Sequence, residues 1–131
     1  MSNVLDVRDL WVRFDTPQGP VIANRSVNMS IGQNEVLGLM GESGCGKSVL
    51  GLALVGLQRP GVVARGSIIL EGTDLTGLRE SQLHRLRGRR IALVPQDHGT
   101  ALNPLHTVGT HLAEAIAVRD GVRGIWGHLT F

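Results

Sequence analysis

Residues 41–48 read GESGCGKS, and the reading of this octapeptide decides what kind of chain this is. The spacing fits G-x-x-x-x-G-K-[ST], a glycine-rich loop whose consecutive backbone N–H groups wrap a phosphate chain while a lysine and a hydroxyl complete the site. Gly41, Gly44 and Gly46 allow positive φ and a close backbone approach with no Cβ in the way. The amides of residues 43–48 converge on the anion, helped by the positive end of a helix that begins near Lys47. Lys47 reaches the terminal phosphates as a compact charge, and the Ser48 hydroxyl is placed for Mg²⁺. Glu42, Ser43 and Cys45 fill the spacer positions, so that all eight residues belong to the expected site. Cys45 is read as a spacer rather than a nucleophile, although a helix N-terminus lowers a thiol pKa.

The flanking sequence supplies the context that such a loop requires. Before it, EVLGLM at 35–40 is nearly continuous apolar, as a strand covered on both faces would be. After Lys47, SVLGLALVGL is apolar almost all round, which predicts a helix over 49–57 held between a sheet and other elements. Strand, loop, helix is the order a phosphate-binding loop needs. Lys47 is also the only lysine among thirteen basic residues.

Upstream, VLDVRDLWVRF alternates in two phases, Leu5 and Val7, then Leu10, Val12 and Phe14, with a bulge or bend expected at Arg8-Asp9. TPQGP at 16–20 predicts a turn. A second strand ends on Val27, Met29 and Ile31, and 32–34 turn again, which together imply an antiparallel β portion. Downstream, GSIILEG at 66–72 reads as a short strand, 80–87 as a helix and RIALVPQD at 90–97 as an apolar strand. From Thr107 a helix is expected to dock Val108, Leu112, Ala115 and Ile116 while exposing His111 and Glu114.

Composition narrows the class. At 131 residues and 42% hydrophobic, the chain has material for a single ordinary core. No apolar run approaches the roughly 20 residues that span a bilayer, and the polar start MSNVLDVRDL lacks a leader pattern, so a cytoplasmic location is expected. Cys45 is the only cysteine and has no internal disulfide partner. The net charge of +2 hides one local patch, RESQLHRLRGRR at 79–90, with five arginines against one glutamate. With no aromatic residue near it to stack a base, a solvated helix face is preferred over a nucleic-acid site. The histidines 98, 106, 111 and 128 show no metal-ligand spacing.

With the β-rich start, the loop GESGCGKS and the strand IALVPQD followed by DHGTALNPLHTVGTHLAEAI, the chain resembles the ATP-binding subunits of ABC transporters. Within them it looks like the dipeptide, oligopeptide and nickel importer branch, over roughly 4–118. The resemblance implies an α/β fold, a P-loop NTPase core with an N-terminal antiparallel β portion. It also implies ATP and Mg²⁺ as cofactors, and as partners membrane permease subunits and a second ATP-binding subunit, with no nucleic acid. The place implied is the cytoplasm, peripheral on the inner face of the cell membrane. Phe14 falls where the family stacks an aromatic ring on adenine, although an inward residue of an alternating strand reads equally well. Gln96 matches the glutamine loop that senses Mg²⁺ and the attacking water; it displaces the other reading of IALVPQD, a Mg²⁺-holding aspartate motif, because Pro95-Gln96 breaks the run and no glutamate follows Asp97.

The departures from the family matter as much. No signature resembling Leu-Ser-Gly-Gly-Gln, no strand ending in Asp-Glu and no switch histidine can be assigned, so the chain is expected to be a partial nucleotide-binding domain, truncated before the signature and Walker B segments. The organisation is read as 1–34 β-rich, 35–97 P-loop core, 107–119 the start of a helical subdomain and 120–131 an atypical tail. Three readings compete: an incomplete import ATPase, a non-catalytic nucleotide-binding module or decoy, and another P-loop enzyme. A GTPase is set aside, since its Asn-Lys-x-Asp base reader needs a second lysine.

Overall fold

The computed structural model describes residues 3–97 and 102–121, so most of the 120–131 tail, with His98 and His128, lies outside the described residues. The chain forms two compact units, Met1–Leu83 and His84–Phe131.

The first unit is built on an antiparallel sheet. Its central strand β1 (Leu5–Thr16) is joined by the expected turn to β2 (Gly19–Ile31), where the Thr16 hydroxyl donates to the Gly19 carbonyl at 2.7 Å. β3 (Val62–Leu70) pairs with the other edge of β1, and the short β4 (Thr73–Asp74) follows, giving the order β2-β1-β3-β4. Alternation then sorts the side chains. Leu5, Val7, Leu10 and Val12 of β1 are buried with Ile68 and Leu70 of β3, and Leu50 and Ala53 of α1 (Lys47–Leu54) are buried as well.

The slip of phase expected at Arg8-Asp9 is a bulge. Both β1 ladders shift register after Val7 or Arg8, and Asp9 takes φ 44°. Its carboxylate is what holds that conformation: Trp11 Nε1 and Ser26 Oγ donate to Oδ1 at 2.9 and 2.8 Å, and Arg65 Nε lies 2.7 Å from Oδ2. One carboxylate therefore ties β1, β2 and β3 together. Opposite the bulge, Gly66 sits at φ 92°, where any Cβ would collide with the Arg8 and Asp9 carbonyls.

Two expected strands are not formed. Residues 35–40 make no ladder, and Val36 and Met40 are 95% and 94% exposed. In 90–97 only Ile91 bridges, in parallel with Arg87, and Val94 is exposed. A strand exists only where a run of backbone N–H and C=O groups meets a neighbour's, and among the described residues neither segment forms a ladder, the single Ile91 bridge apart. Helix α1 is also shorter than the predicted 49–57. It stops because Gly56, at φ 69°, closes it: Leu57 N donates to Leu52 O and Gly56 N to Ala53 O, the paired bonds of a left-handed C-terminal cap.

α2 (Glu80–Leu86) carries the chain into the second unit and buries none of its residues, as a solvated basic face would. In that unit α3 (Val108–Asp120) starts at Thr107, whose side chain accepts from Thr110 N. Its faces are the reverse of those expected. Val108, Leu112 and Ile116 are exposed, while Ala117 is buried and His111 and Glu114 are half-buried. Contacts at both ends set the rotation: Arg89 Nε donates to Val118 O at 2.7 Å, and His111 Nε2 lies 3.1 Å from Asn103 O.

The bulge has a pH signature. The Trp11 and Ser26 hydrogen bonds, with help from Arg65, hold the Asp9 carboxyl below its ordinary 3.8 against a smaller opposing effect of burial. A depressed folded-state pKa contributes stability above the unfolded value, and that contribution is lost as pH falls through the folded value. Thermal melts of wild type and Asp9→Asn should differ at neutral pH and converge below about pH 4; a gap that stays constant down to the acid limit would show that the carboxylate charge plays no part.

Candidate functional site: the 41–48 loop

The loop leaves 35–40, turns at 43–44 and enters α1 at Lys47. Gly44 and Gly46 both take left-handed backbone, φ 82° and 93°, as expected, whereas Gly41, expected to do the same, does not. Cys45 N turns back toward Glu42 O at 3.4 Å, and a Cβ at Gly41 would sit 2.8 Å from Cys45 Sγ. The loop thus folds into a tight concave arc. Lys47 reaches back across it, Nζ donating to Gly41 O at 2.8 Å and Glu42 O at 2.5 Å, with Cys45 Sγ at 3.3 Å.

The far end of the arc is anchored by residues the sequence reading missed. Gly46 is the N-cap of α1 and its carbonyl accepts from Leu50 N at 2.9 Å. The same carbonyl accepts from Asn24 Nδ2 of β2 at 3.2 Å, and Asn24 is buried. A Cβ on Gly46 would lie 2.5 Å from the Ala23 carbonyl oxygen. The sequence around Asn24, VIANRS, does not alternate, so only the structure shows that this amide is buried, where it finds the partner that buried amides require.

This donor set fits a polyphosphate. No side chain caps α1, and the first N–H groups of a helix have no acceptor within it. The helix begins at Lys47, whose ammonium lies on the 41–42 carbonyls of the same loop, and Ser48, the second residue of the helix, is exposed. Positive dipole end, oriented N–H groups, one cation and one hydroxyl are complementary to phosphate oxygens and a hard metal ion.

Residues 24–126 of the chain match the ABC transporter family. The chain belongs to it. Among curated relatives, the oligopeptide transport ATP-binding protein OppD of Mycobacterium tuberculosis is 45% identical over 120 residues, 92% of this chain and 20% of that protein. OppD of Haemophilus influenzae is 39% identical over 92% of this chain and 38% of its own length. The dipeptide transport ATP-binding protein DppD of the same organism is 41% identical over 90% and 36%. The chain therefore spans well under half the length of these relatives.

Among solved structures, a dimeric ATP-binding cassette in a post-hydrolysis state bound to ADP and Pi aligns with TM-score 0.78 and 22% identity over 92% of this chain and 49% of its own. A dimeric bacterial ABC transporter cassette aligns with TM-score 0.70 and 23% identity, over 79% of this chain and 42% of that one. The fold is thus that of the ABC ATPase cassette, an α/β P-loop NTPase with an antiparallel N-terminal sheet.

The other expected site residues are placed as follows. Phe14 ends the buried face of β1 and is itself half-buried, its ring against Gly61, where an added Cβ would stand 2.7 Å from Cζ. Gln96 belongs to the second unit and is exposed in a stretch without ladder bonds.

The two left-handed glycines should respond differently to a methyl group. Around Gly44 nothing lies within 4 Å of an added Cβ, so Gly44→Ala should cost only the left-handed conformation, about 1–2 kcal/mol. Gly46→Ala adds the overlap with Ala23, a further ~1–3 kcal/mol. Thermal midpoints by circular dichroism should rank wild type, Gly44→Ala, Gly46→Ala in falling order; equal losses would mean that the loop does not rest on β2.

Proposed function

We propose that the chain is the ATP-binding part of an ABC transporter ATPase that energises uptake of peptides through a membrane permease. The observation that carries the reading is the arc of 41–46 closed by Lys47 at the uncapped start of α1. The names of its relatives, oligopeptide and dipeptide transport ATP-binding proteins, support the peptide class. ATP is held by the N–H groups of 43–48 and by Lys47, Ser48 holds Mg²⁺, Phe14 offers a ring to adenine and Gln96 attends the metal and the attacking water. When bound, Mg²⁺ would supply charge neutralisation to the phosphate chain. The partners are permease subunits and a second ATP-binding subunit, which places the chain at the inner face of the cell membrane. No helix among the described residues is long and apolar enough to cross that membrane itself.

Holding ATP and cleaving it are separable here. Cleavage needs a positioned water and charge stabilisation opposite the leaving group as well as a phosphate cradle. The sequence contains the cradle but no Asp-Glu strand end and no signature.

Two measurements test the proposal. Titration with a fluorescent ATP analogue and Mg²⁺ should saturate, and Lys47→Ala should weaken binding about ten- to a hundredfold, since a hydrogen bond to a charged group is worth ~1.5–3 kcal/mol. Equal affinity in the two proteins would sink the assignment. Phosphate release by the 131-residue chain alone should stay at background; release that Lys47→Ala abolishes would reveal a catalytic group within it.

A further inference from the structure

The second unit brings together three side chains that the sequence spacing gave no reason to join. His106 stands immediately before the N-cap Thr107 of α3, and His111 and Glu114 lie three residues apart on the helix, a spacing that puts them on one face. One ring nitrogen from each histidine and one carboxylate oxygen of Glu114 all fall within 4.8 Å of one another. His106 Nδ1 is 3.5 Å from Glu114 Oε1, and the two imidazole centroids are 5.5 Å apart. The helix face reversed from expectation is the face that carries this cluster.

We infer that His106, His111 and Glu114 form a binding site for a divalent transition cation of the zinc class. Two imidazoles and a carboxylate suit a borderline ion, whereas calcium and magnesium demand oxygen donors in larger number. The turn that presents His106 is fixed independently of any ion. Leu105 N donates to Asn103 Oδ1 at 3.0 Å, His106 N to Asn103 O at 3.0 Å, and the Thr107 hydroxyl accepts from Thr110 N at 3.2 Å. The Asn103 carbonyl also lies 3.1 Å from His111 Nε2. A carbonyl on one ring nitrogen of a histidine is the usual way an outer partner fixes a ligand's tautomer.

Ligand atoms around a tetrahedral zinc ion stand about 3.3 Å apart, from bonds of ~2.0–2.1 Å. The widest separation in the cluster must therefore contract by up to about 1.5 Å, a change that rotamer adjustment can supply, and the side chains of His106 and Glu114, 27% and 38% exposed, have room for it. The positive end of α3 opposes a cation here, and the Glu114 carboxylate offsets it. Three protein ligands leave a fourth position to water. The site would pin the 103–106 turn to α3, and it stands apart from the nucleotide reading.

The test is titration of the full chain with Zn²⁺ in the absence of nucleotide, in a Cys45→Ser background because that thiol is exposed and a thiolate is itself a zinc ligand. One equivalent should bind, and His111→Asn and Glu114→Gln should each weaken it about tenfold or more, while His84→Asn leaves it unchanged. Co²⁺ in place of Zn²⁺ should give the visible bands of a low-coordinate nitrogen and oxygen site. A second readout needs no variant of the cluster: bound Zn²⁺ should protect His106 and His111, but not His84, from carbethoxylation mapped by mass spectrometry. Absence of saturable uptake, or one-equivalent binding that survives Glu114→Gln with His106 and His111 still reactive, would overturn the site and leave the contact an ordinary histidine–glutamate pair.

Discussion

The carbonyl of Gly46 is where the sheet, the loop and the first helix are joined. It accepts from Leu50 N, which starts α1, and from Asn24 Nδ2, which belongs to β2. Because the residue is glycine, the Ala23 carbonyl approaches to a distance no Cβ would permit. The direction of α1 is thereby fixed against the strand beneath it, and with it the direction in which the unpaired N–H groups of its first turn point. A loop tethered only by its own turns would leave that aim to chance. Among the described residues no hydrogen bond reaches Asn24 Oδ1, so the side chain's anchoring contact is the one made by Nδ2.

The sheet below depends in turn on one carboxylate. The bulge in β1 breaks the ladder to both neighbours, and an unpaired bulge with φ 44° at a non-glycine residue would be a weak point. Asp9 converts it into a junction by taking hydrogen bonds from its own strand through Trp11 and from β2 through Ser26, and by pairing with Arg65 on β3. Asp9 N donates to Asn28 Oδ1 on the same neighbour, so the backbone group released by the bulge is also satisfied.

Much of this was legible in the sequence, and what was not has identifiable physical causes. Local signals carried well: the GESGCGKS loop, the phase slip at Arg8-Asp9, the turn after Thr16 and the start of α3 at Thr107 each depend on residues within a few positions of one another. The family resemblance read from the same motifs gave the α/β cassette fold. The failures concern partners. An apolar run such as 35–40 states that burial is wanted but not what will provide it, and a ladder needs a second strand. The face that α3 buries was read from its apolar stripe, yet polar contacts to Asn103 and Arg89 set its rotation. Long-range anchors, such as Asn24 on Gly46 across 22 positions, leave no readable local trace.

The state of Lys47 shows how such a loop is kept ready. With Nζ bonded to the Gly41 and Glu42 carbonyls, the ammonium is satisfied by neutral acceptors and the arc is closed around it. Under the proposed function a phosphate would compete for the same donors with full negative charge, where the carbonyls offer only a dipole. An ammonium can change partners this way because its three donors sit on a flexible stem. A guanidinium differs in being a rigid planar fork, which re-aims less freely than a compact ammonium. In a chain whose other twelve basic residues are all arginine, the one lysine stands in the loop for which a phosphate role is proposed, and a compact, re-aimable charge suits that role.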